Sequence, residues 1–506
     1  MLSTLLQRNR NPLVGFLLVL VVLLGASAAP HAPAHASDEH PATAATSAAA
    51  AAATGDGATT VYMPLVANNY PWQSPLGVQA DPRITGGLIL TRTVDLNVGW
   101  ARVAPISWRL LQPTEGGPIN WGRLAGFEKE ARKLKEYGIK PEVVVFDSPH
   151  WATINIPYPT SCGAIRADKL GAFAAFMSAL ATRYGAPEFN VHHWELGNEI
   201  DVDPRLVPPD NGYGCWGDIK DPYYGGRTYG EMLKAVVPTI RAADPLAQIW
   251  IGGLLLDNPN TTEPNRGRPE LFLQGILAAG AAPYFDIVPY HAYSHYAHAV
   301  VDADLGLGGP WDSWGGLAAG KARFLRNIMQ QYNVDKPLFL NETALLATDL
   351  TPCGTACPPP DAAFYEMQAM YLVRAFTRAF SEHVQAITWF TINGPGWRYS
   401  GLTDANYNPT PAYRAFQVFS SQITGAIGSP TPIDYGNGVE AYAYNKGDRQ
   451  IQAVWAKQDQ TLAISIPQAS FVAAVDRYGN PVSAIPNGTD YVVLVRFDPI
   501  YVTVLQ

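Results

Sequence analysis

His192-His193-Trp194-Glu195-Leu196-Gly197-Asn198-Glu199 begins as a short apolar strand and ends on a polar Asn-Glu pair. Such a pair packs poorly in a core. At the C-terminal mouth of a parallel barrel, it stands where reactive groups are placed. Taken alone, Glu199 reads equally well as a strand end facing water. A second stretch breaks the tie. Lys336-Pro337-Leu338-Phe339-Leu340-Asn341-Glu342-Thr343 is again apolar and again ends in a glutamate. The interval between the two glutamates holds three strand–helix units with long loops. Glu199 and Glu342 then belong to strands 4 and 7 of one barrel and face each other across its mouth.

The surrounding chain fits that frame. From Leu76 the pattern alternates strand and helix. Leu124, Phe127, Ala131 and Leu134 share one helix face, and the run from Pro141 to Phe146 is a buried strand. Leu170, Phe173, Met177, Leu180 and Tyr184 mark the next helix, with Asp168 as its expected cap. Thr228 and Glu231 read as a capping box for the helix after strand 4. Strands 5 to 8 are expected over 248–256, 285–293, 336–342 and 386–391. Unbroken alternation predicts an α/β fold, a (β/α)8 TIM barrel over residues 61–424 that includes an N-terminal strand at 61–66. After Gly425 the texture changes to six short strands with tight turns, a small sandwich-like all-β domain over 425–506. It reads as a brace for the barrel, with a sugar-binding module as the rival.

Composition narrows the function. The chain has 506 residues, 47% hydrophobic, with only 15% charged and a net charge of −8. Nucleic-acid binding wants a basic face, so that class is set aside. Residues 1–36 read as a secretory signal. Arg8 and Arg10 precede an apolar run, and Ala34-His35-Ala36 offers a cleavage site. The mature protein is expected outside the cell or at its surface, with no stable membrane association; an uncleaved anchor is the other reading. Residues 37–60 form an Ala-, Thr- and Pro-rich linker with no core to fold around. Cys162 and Cys215 lie in loops after strands 3 and 4, and Cys353 and Cys357 lie together after strand 7. In a secreted chain these predict Cys162–Cys215 and Cys353–Cys357 bridges. Zinc spacing is absent from the cysteines. His192-His193 are adjacent, so they point to opposite faces and make no His-x-His metal pair. No metal or cofactor is expected.

Two carboxylates facing each other are what glycosidic bond cleavage needs, one as proton donor and one as nucleophile or base. Further stretches carry a resemblance. Trp100-Ala101-Arg102-Val103, Trp108-Arg109-Leu110-Leu111-Gln112-Pro113, Asp147-Ser148-Pro149-His150-Trp151-Ala152 and His291-Ala292-Tyr293 follow in order. With the Asn-Glu and the later Glu, they resemble the retaining glycoside hydrolases of clan A. Family 39, the β-xylosidase and α-iduronidase family, is the most similar, and family 5 comes second. Family 39 usually has Trp-Asn-Glu-Pro where this chain has Gly197-Asn198-Glu199-Ile200. The resemblance implies an oligo- or polysaccharide substrate, Glu199 as acid/base and Glu342 as nucleophile. It further implies that Asn198 holds the sugar 2-hydroxyl and that Tyr293 and Arg102 hold Glu342. His150 and His291 would touch sugar hydroxyls or the catalytic glutamates, and Trp389 would be the stacking floor. Arg102 has a second reading, as the partner of Glu195. A non-catalytic sugar-binding barrel is the competing function.

Overall fold

The computed structural model describes residues 74–80, 83–154, 163–206, 216–257, 268–305, 308–348, 359–436 and 438–506. The signal, the linker, the 61–66 strand and all four cysteines lie outside them. Eight parallel strands follow one another: β1 (Leu76–Gln79), β2 (Trp100–Ser107), β3 (Lys140–Phe146), β4 (His193–Asn198), β5 (Gln248–Gly253), β6 (Val288–His295), β7 (Leu338–Leu346) and β8 (Val384–Trp389). Their lateral order is β5-β4-β3-β2-β1-β8-β7-β6. Beyond the end of β5, Leu254 N–H donates to the Pro289 carbonyl at 3.1 Å, and His291 N–H to the Leu254 carbonyl at 2.9 Å. These bonds close the barrel. Helices α1 (Gly87–Asp95), α2 (Trp108–Leu111), α3 (Ala125–Glu136), α4 (Leu170–Tyr184), α5 (Gly226–Ala243), α6 (Phe272–Ala278), α7 (Leu317–Gln331), α8 (Ala362–Ser381) and α9 (Pro411–Ile423) alternate with the strands.

Two expected caps are not used. Asp168 sits in a 3-10 turn before α4 and turns back on Arg166, at 2.8 and 3.0 Å, so it caps nothing. Thr228 lies inside α5, because that helix already starts at Gly226. Strand limits shift as well. β7 continues four residues past Glu342, and β5 stops at Gly253.

The barrel interior is layered. At the bottom, Trp100 packs on His193 at 4.9 Å and on Phe339 at 5.3 Å, and Trp250 on Phe339 at 4.6 Å. These edge-to-face contacts plug the barrel with apolar surface. Burial brings the His193 imidazole down to about 3, so it is neutral there. Above this plug the apolar filling stops, and a charged layer takes its place.

The C-terminal region forms two antiparallel sheets. One runs β13 (Phe471–Asp476), β16 (Ile500–Leu505), β11 (Arg449–Ala456), β10 (Val439–Asn445) and β9 (Thr431–Ile433). The other runs β12 (Leu462–Pro467), β15 (Asp490–Val495) and β14 (Ala484–Asn487). Val454 and Val502 of the first sheet share a core with Ile464, Ile466 and Val493 of the second. β9 and β14 were not foreseen from the sequence. Each is short, carries a proline and sits at a sheet edge, where proline is tolerated. The sandwich is fastened to α8. Arg378 grips both Glu440 oxygens on β10 at 2.8 Å and reaches Asp304, in the segment after β6, at 3.1 Å. That bidentate geometry fixes orientation as well as charge.

Candidate active site

Two backbone irregularities bring the polar residues together. On β4, strict alternation would turn Asn198 away from the side of Glu195. Gly197 breaks the alternation with φ 100, a conformation that favours glycine. Asn198 therefore also faces the axis, and Glu199 follows at φ 48. On β7, Tyr290 of β6 pairs with Leu340, but His291 pairs with Glu342. Asn341 is thus the extra residue of a bulge, and such bulges re-aim side chains beside active sites. Asn341 and Glu342, adjacent in sequence, both turn inward.

Arg102 on β2 is the centre of the charged layer, and it is 2% exposed. Nε donates to Glu195 at 3.0 Å and to Glu142 at 3.1 Å. Nη1 donates to Gln79 at 3.0 Å and to Glu342 Oε1. Nη2 donates to Glu195 at 3.1 Å and to Asn198 Oδ1 at 2.6 Å. All its donors are spent on the protein, on Glu195 and Glu342 alike. It is a buried hub beneath the mouth. Burial opposes its charge, but Glu195, Glu342 and Glu142 hold it well above its usual range. Burial and the neighbouring Glu195 push the Glu142 carboxyl well up, so Glu142 keeps its proton. Glu195 is also buried, yet Arg102 and the hydrogen bond with Glu142 bring it down, so it is the carboxylate of the two. Asn341 Nδ2 donates to Glu142 at 2.8 Å and to Glu195 at 3.2 Å, completing the layer.

The mouth lies above it. His291 Nδ1 is 3.1 Å from Glu199 Oε1 and 3.5 Å from Glu342 Oε2. Tyr293 donates its hydroxyl to Glu342 Oε2. The closest reactive atoms of Glu199, His291 and Glu342 lie within 4.8 Å of one another. Burial works against the His291 cation, but Glu342 and Glu199 outweigh it and raise the imidazole. Burial and Glu342 drive the Tyr293 phenol well up, so it stays a donor. The same three groups have the donor set for a cation. Arg102 already presses positive charge on Glu342, which disfavours a second cation there. Gly253 lies against the back of the His291 ring. A Cβ at Gly253 would stand 2.2 Å from His291 Nε2, so only glycine leaves room for the imidazole.

Solved structures share this arrangement of elements. A family 39 glycoside hydrolase from the gut symbiont Bacteroides cellulosilyticus WH2 is 16% identical, covers 85% of this chain and 81% of its own, and has a TM-score of 0.62. The chain shares its fold with that protein. A GH30 endoxylanase from Clostridium papyrosolvens C71 is 12% identical, with coverages of 85% and 95% and a TM-score of 0.56. A GH39 β-xylosidase from Caulobacter crescentus is 16% identical, with coverages of 88% and 98% and a TM-score of 0.52. No protein-family model and no curated protein matches the sequence.

The other expected site residues are placed unevenly. His150 is exposed and has no hydrogen bond or ion pair with Glu199 or Glu342. Trp389 does not form a floor. It is 0% exposed, packs toward Phe376 and Tyr371, and gives its indole N–H to the Ser400 carbonyl at 2.8 Å. Its side chain faces the helical layer rather than the axis. The aromatic groups beside the site are Phe390 and Trp397, with ring centroids 5.8 and 5.4 Å from Tyr293. Glu142, Asn341 and Gln79 were missed. Glu142 left one signal, a lone charge ahead of Val143-Val144-Val145 in a buried strand.

Proposed function

We propose that this chain is a glycoside hydrolase acting on plant-type or other oligo- and polysaccharides by double displacement with retention. The observation that carries the proposal is the short gap between Glu199 and Glu342, within 4.8 Å at their nearest oxygens. Retaining enzymes hold their carboxyls roughly 5–5.5 Å apart, inverting ones about 6.5–9.5 Å, to leave room for water. In the first step Glu342 attacks the anomeric carbon and an ester bond forms. The glycosidic C–O bond breaks, and the departing oxygen takes the Glu199 proton. In the second step water attacks the same carbon and gives a proton to Glu199, and the ester bond breaks to restore the Glu342 carboxylate. Arg102 and Tyr293 aim Glu342 by their hydrogen bonds to its two oxygens. Arg102 occupies Asn198 Oδ1, which leaves the Asn198 amide N–H groups to hold the sugar 2-hydroxyl. His291 orients Glu199. Phe390 and Trp397 offer the sugar an apolar wall.

The test separates the two glutamates. Glu199→Ala is expected to react readily with an aryl glycoside whose leaving group needs no proton, and then to stall as the glycosyl-enzyme. Azide should restore turnover and yield a glycosyl azide of the substrate's own anomeric configuration. A variant that azide leaves inactive would count against Glu199 as acid/base. In the same proposal the protein is exported, and its cysteines pair Cys162–Cys215 and Cys353–Cys357. Support comes from the charged and apolar start of the chain and the loop positions of the cysteines. Non-reducing peptide mapping of native protein should find an N-terminus near Ser37 and those two pairs; Met1 or four free thiols would sink this part.

A further inference from the structure

We propose that Lys321 is a positioning residue for the glycosidase reaction proposed above, because its ammonium and the Asp201 carboxylate close a ring of contacts that fixes His291 between Glu199 and Glu342. Lys321 lies on α7 and is 4% exposed. Its Nζ donates to the Leu255 carbonyl at 2.6 Å and to the His291 carbonyl at 2.8 Å, and sits 5.6 Å over the Trp311 ring. Asp201 is 2% exposed and accepts from Leu255 N–H and Leu256 N–H, both at 2.8 Å. The peptide joining Leu255 to Leu256 is therefore held at its carbonyl by a cation and at its N–H by an anion. The ring runs from Glu199 along the chain to Asp201, across that peptide to Lys321, on to the His291 backbone, and back through the imidazole to Glu199.

The placement is costly, which is why it points to a task. A buried ammonium loses its hydration, and an apolar side chain of similar length would fill the space more cheaply. What the ammonium adds is a fixed link between the ends of β5 and β6, beyond the last residue of β5. The imidazole that touches both glutamates hangs from the carbonyl-bearing residue that Lys321 holds.

Ionisation supports the same assignment. Burial pulls the Lys321 ammonium down to about 8, against the opposing pull of Asp201, Asp257 and Glu199. Burial lifts Asp201 to about 6, offset by the Leu256 and Leu255 N–H groups and reinforced by Glu199. The groups facing Lys321 are thus Asp201 and Glu199 from the end of β4, Asp257 after β5, His291 on β6 and the Trp311 ring before α7. Both members of the clamp are charged only between about 6 and about 8. Above about 8 the folded protein holds one proton fewer than the unfolded chain, whose lysines keep theirs to roughly 10.4. The lysine's own contribution to stability therefore rises over that interval, while the clamp weakens.

Turnover and a histidine spectrum are measured together on the wild type, Lys321→Met and Asp201→Asn. In Lys321→Met, kcat on an aryl glycoside at neutral pH should fall on the order of ten- to a hundredfold, the scale of a small misplacement, with KM little changed. The wild-type loss of turnover centred near pH 8 should be missing from that variant, although thermal stability does not drop there. In 15N-histidine-labelled wild type, the His291 ring signals should shift through the same pH, and in Lys321→Met they should not. Full turnover with an unchanged alkaline limb in a folded Lys321→Met would overturn the proposal. If that variant fails to fold, Asp201→Asn decides, and an unmoved His291 spectrum there would overturn it. A His291 shift tied to Lys321 in a protein that cleaves no glycoside would sink the glycosidase reading and leave the clamp standing.

Discussion

With Glu342 as the proposed nucleophile, Glu342→Gln is expected to lower kcat on aryl glycosides by on the order of 10^4- to 10^6-fold. The amide has the shape of the carboxylate but cannot form the ester. No described carboxylate is placed to substitute, since Glu195 and Glu142 lie beneath Arg102 with their oxygens engaged. Folding should survive. The amide oxygen can still accept from Arg102 Nη1, and Arg102 keeps its bonds to Glu195. The Tyr293 hydroxyl can turn to accept from the new N–H2. Turnover and thermal melting of the same preparation check this. A loss below tenfold in a well-folded protein would remove Glu342 from the mechanism.

The second large effect is on stability. Arg102→Met removes the guanidinium that Glu195, Glu142 and Glu342 share. Glu195 would remain as a buried carboxylate without it, with Glu342 beside it. Breaking a buried pair from one side costs about 3–5 kcal/mol. Its pH dependence has a defined sign. In the wild type, Glu195 is held below its ordinary value, so its contribution is present above the unfolded glutamate value, near 4.3, and is lost as pH falls through the lower folded value. In Arg102→Met, burial acts without that offset and pushes Glu195 upward. The variant should then lose stability as pH rises from 5 to 8, where the wild type gains nothing further from Glu195. Denaturant melts at those two pH values check it. A deficit under about 1 kcal/mol, or one that does not grow with pH, would show that Arg102 is not the charge partner of this layer.

The sequence carried the barrel and its paired glutamates because both are periodic signals. Apolar runs of strand length ending in Asn198-Glu199 and Asn341-Glu342 can be read without knowing any contact. The rest of the site depends on departures from periodicity. Glu142 looked like one polar letter in a buried strand, because nothing local says that Arg102 lies opposite. Asn341 faces the axis only because β7 carries an extra residue, and a bulge leaves no mark in composition. Trp389 was expected at the site from resemblance alone; it packs toward Tyr371 and Phe376, while Phe390 and Trp397 approach Tyr293. Lys321 resembles any helix-surface lysine in the sequence, because nothing local says that the Leu255 carbonyl lies against it. Asp168 and Thr228 fit capping rules, but the 3-10 turn before α4 and the early start of α5 supplied other solutions.

In the proposed mechanism Glu342 bonds to the anomeric carbon rather than activating water. The most direct measurement is proton NMR of the first product released from an aryl glycoside by the wild-type protein, recorded before mutarotation. Retention gives a product with the anomeric configuration of the substrate, which is the expected result. A product of the opposite configuration would rule out double displacement and leave Glu342 as a base acting through water.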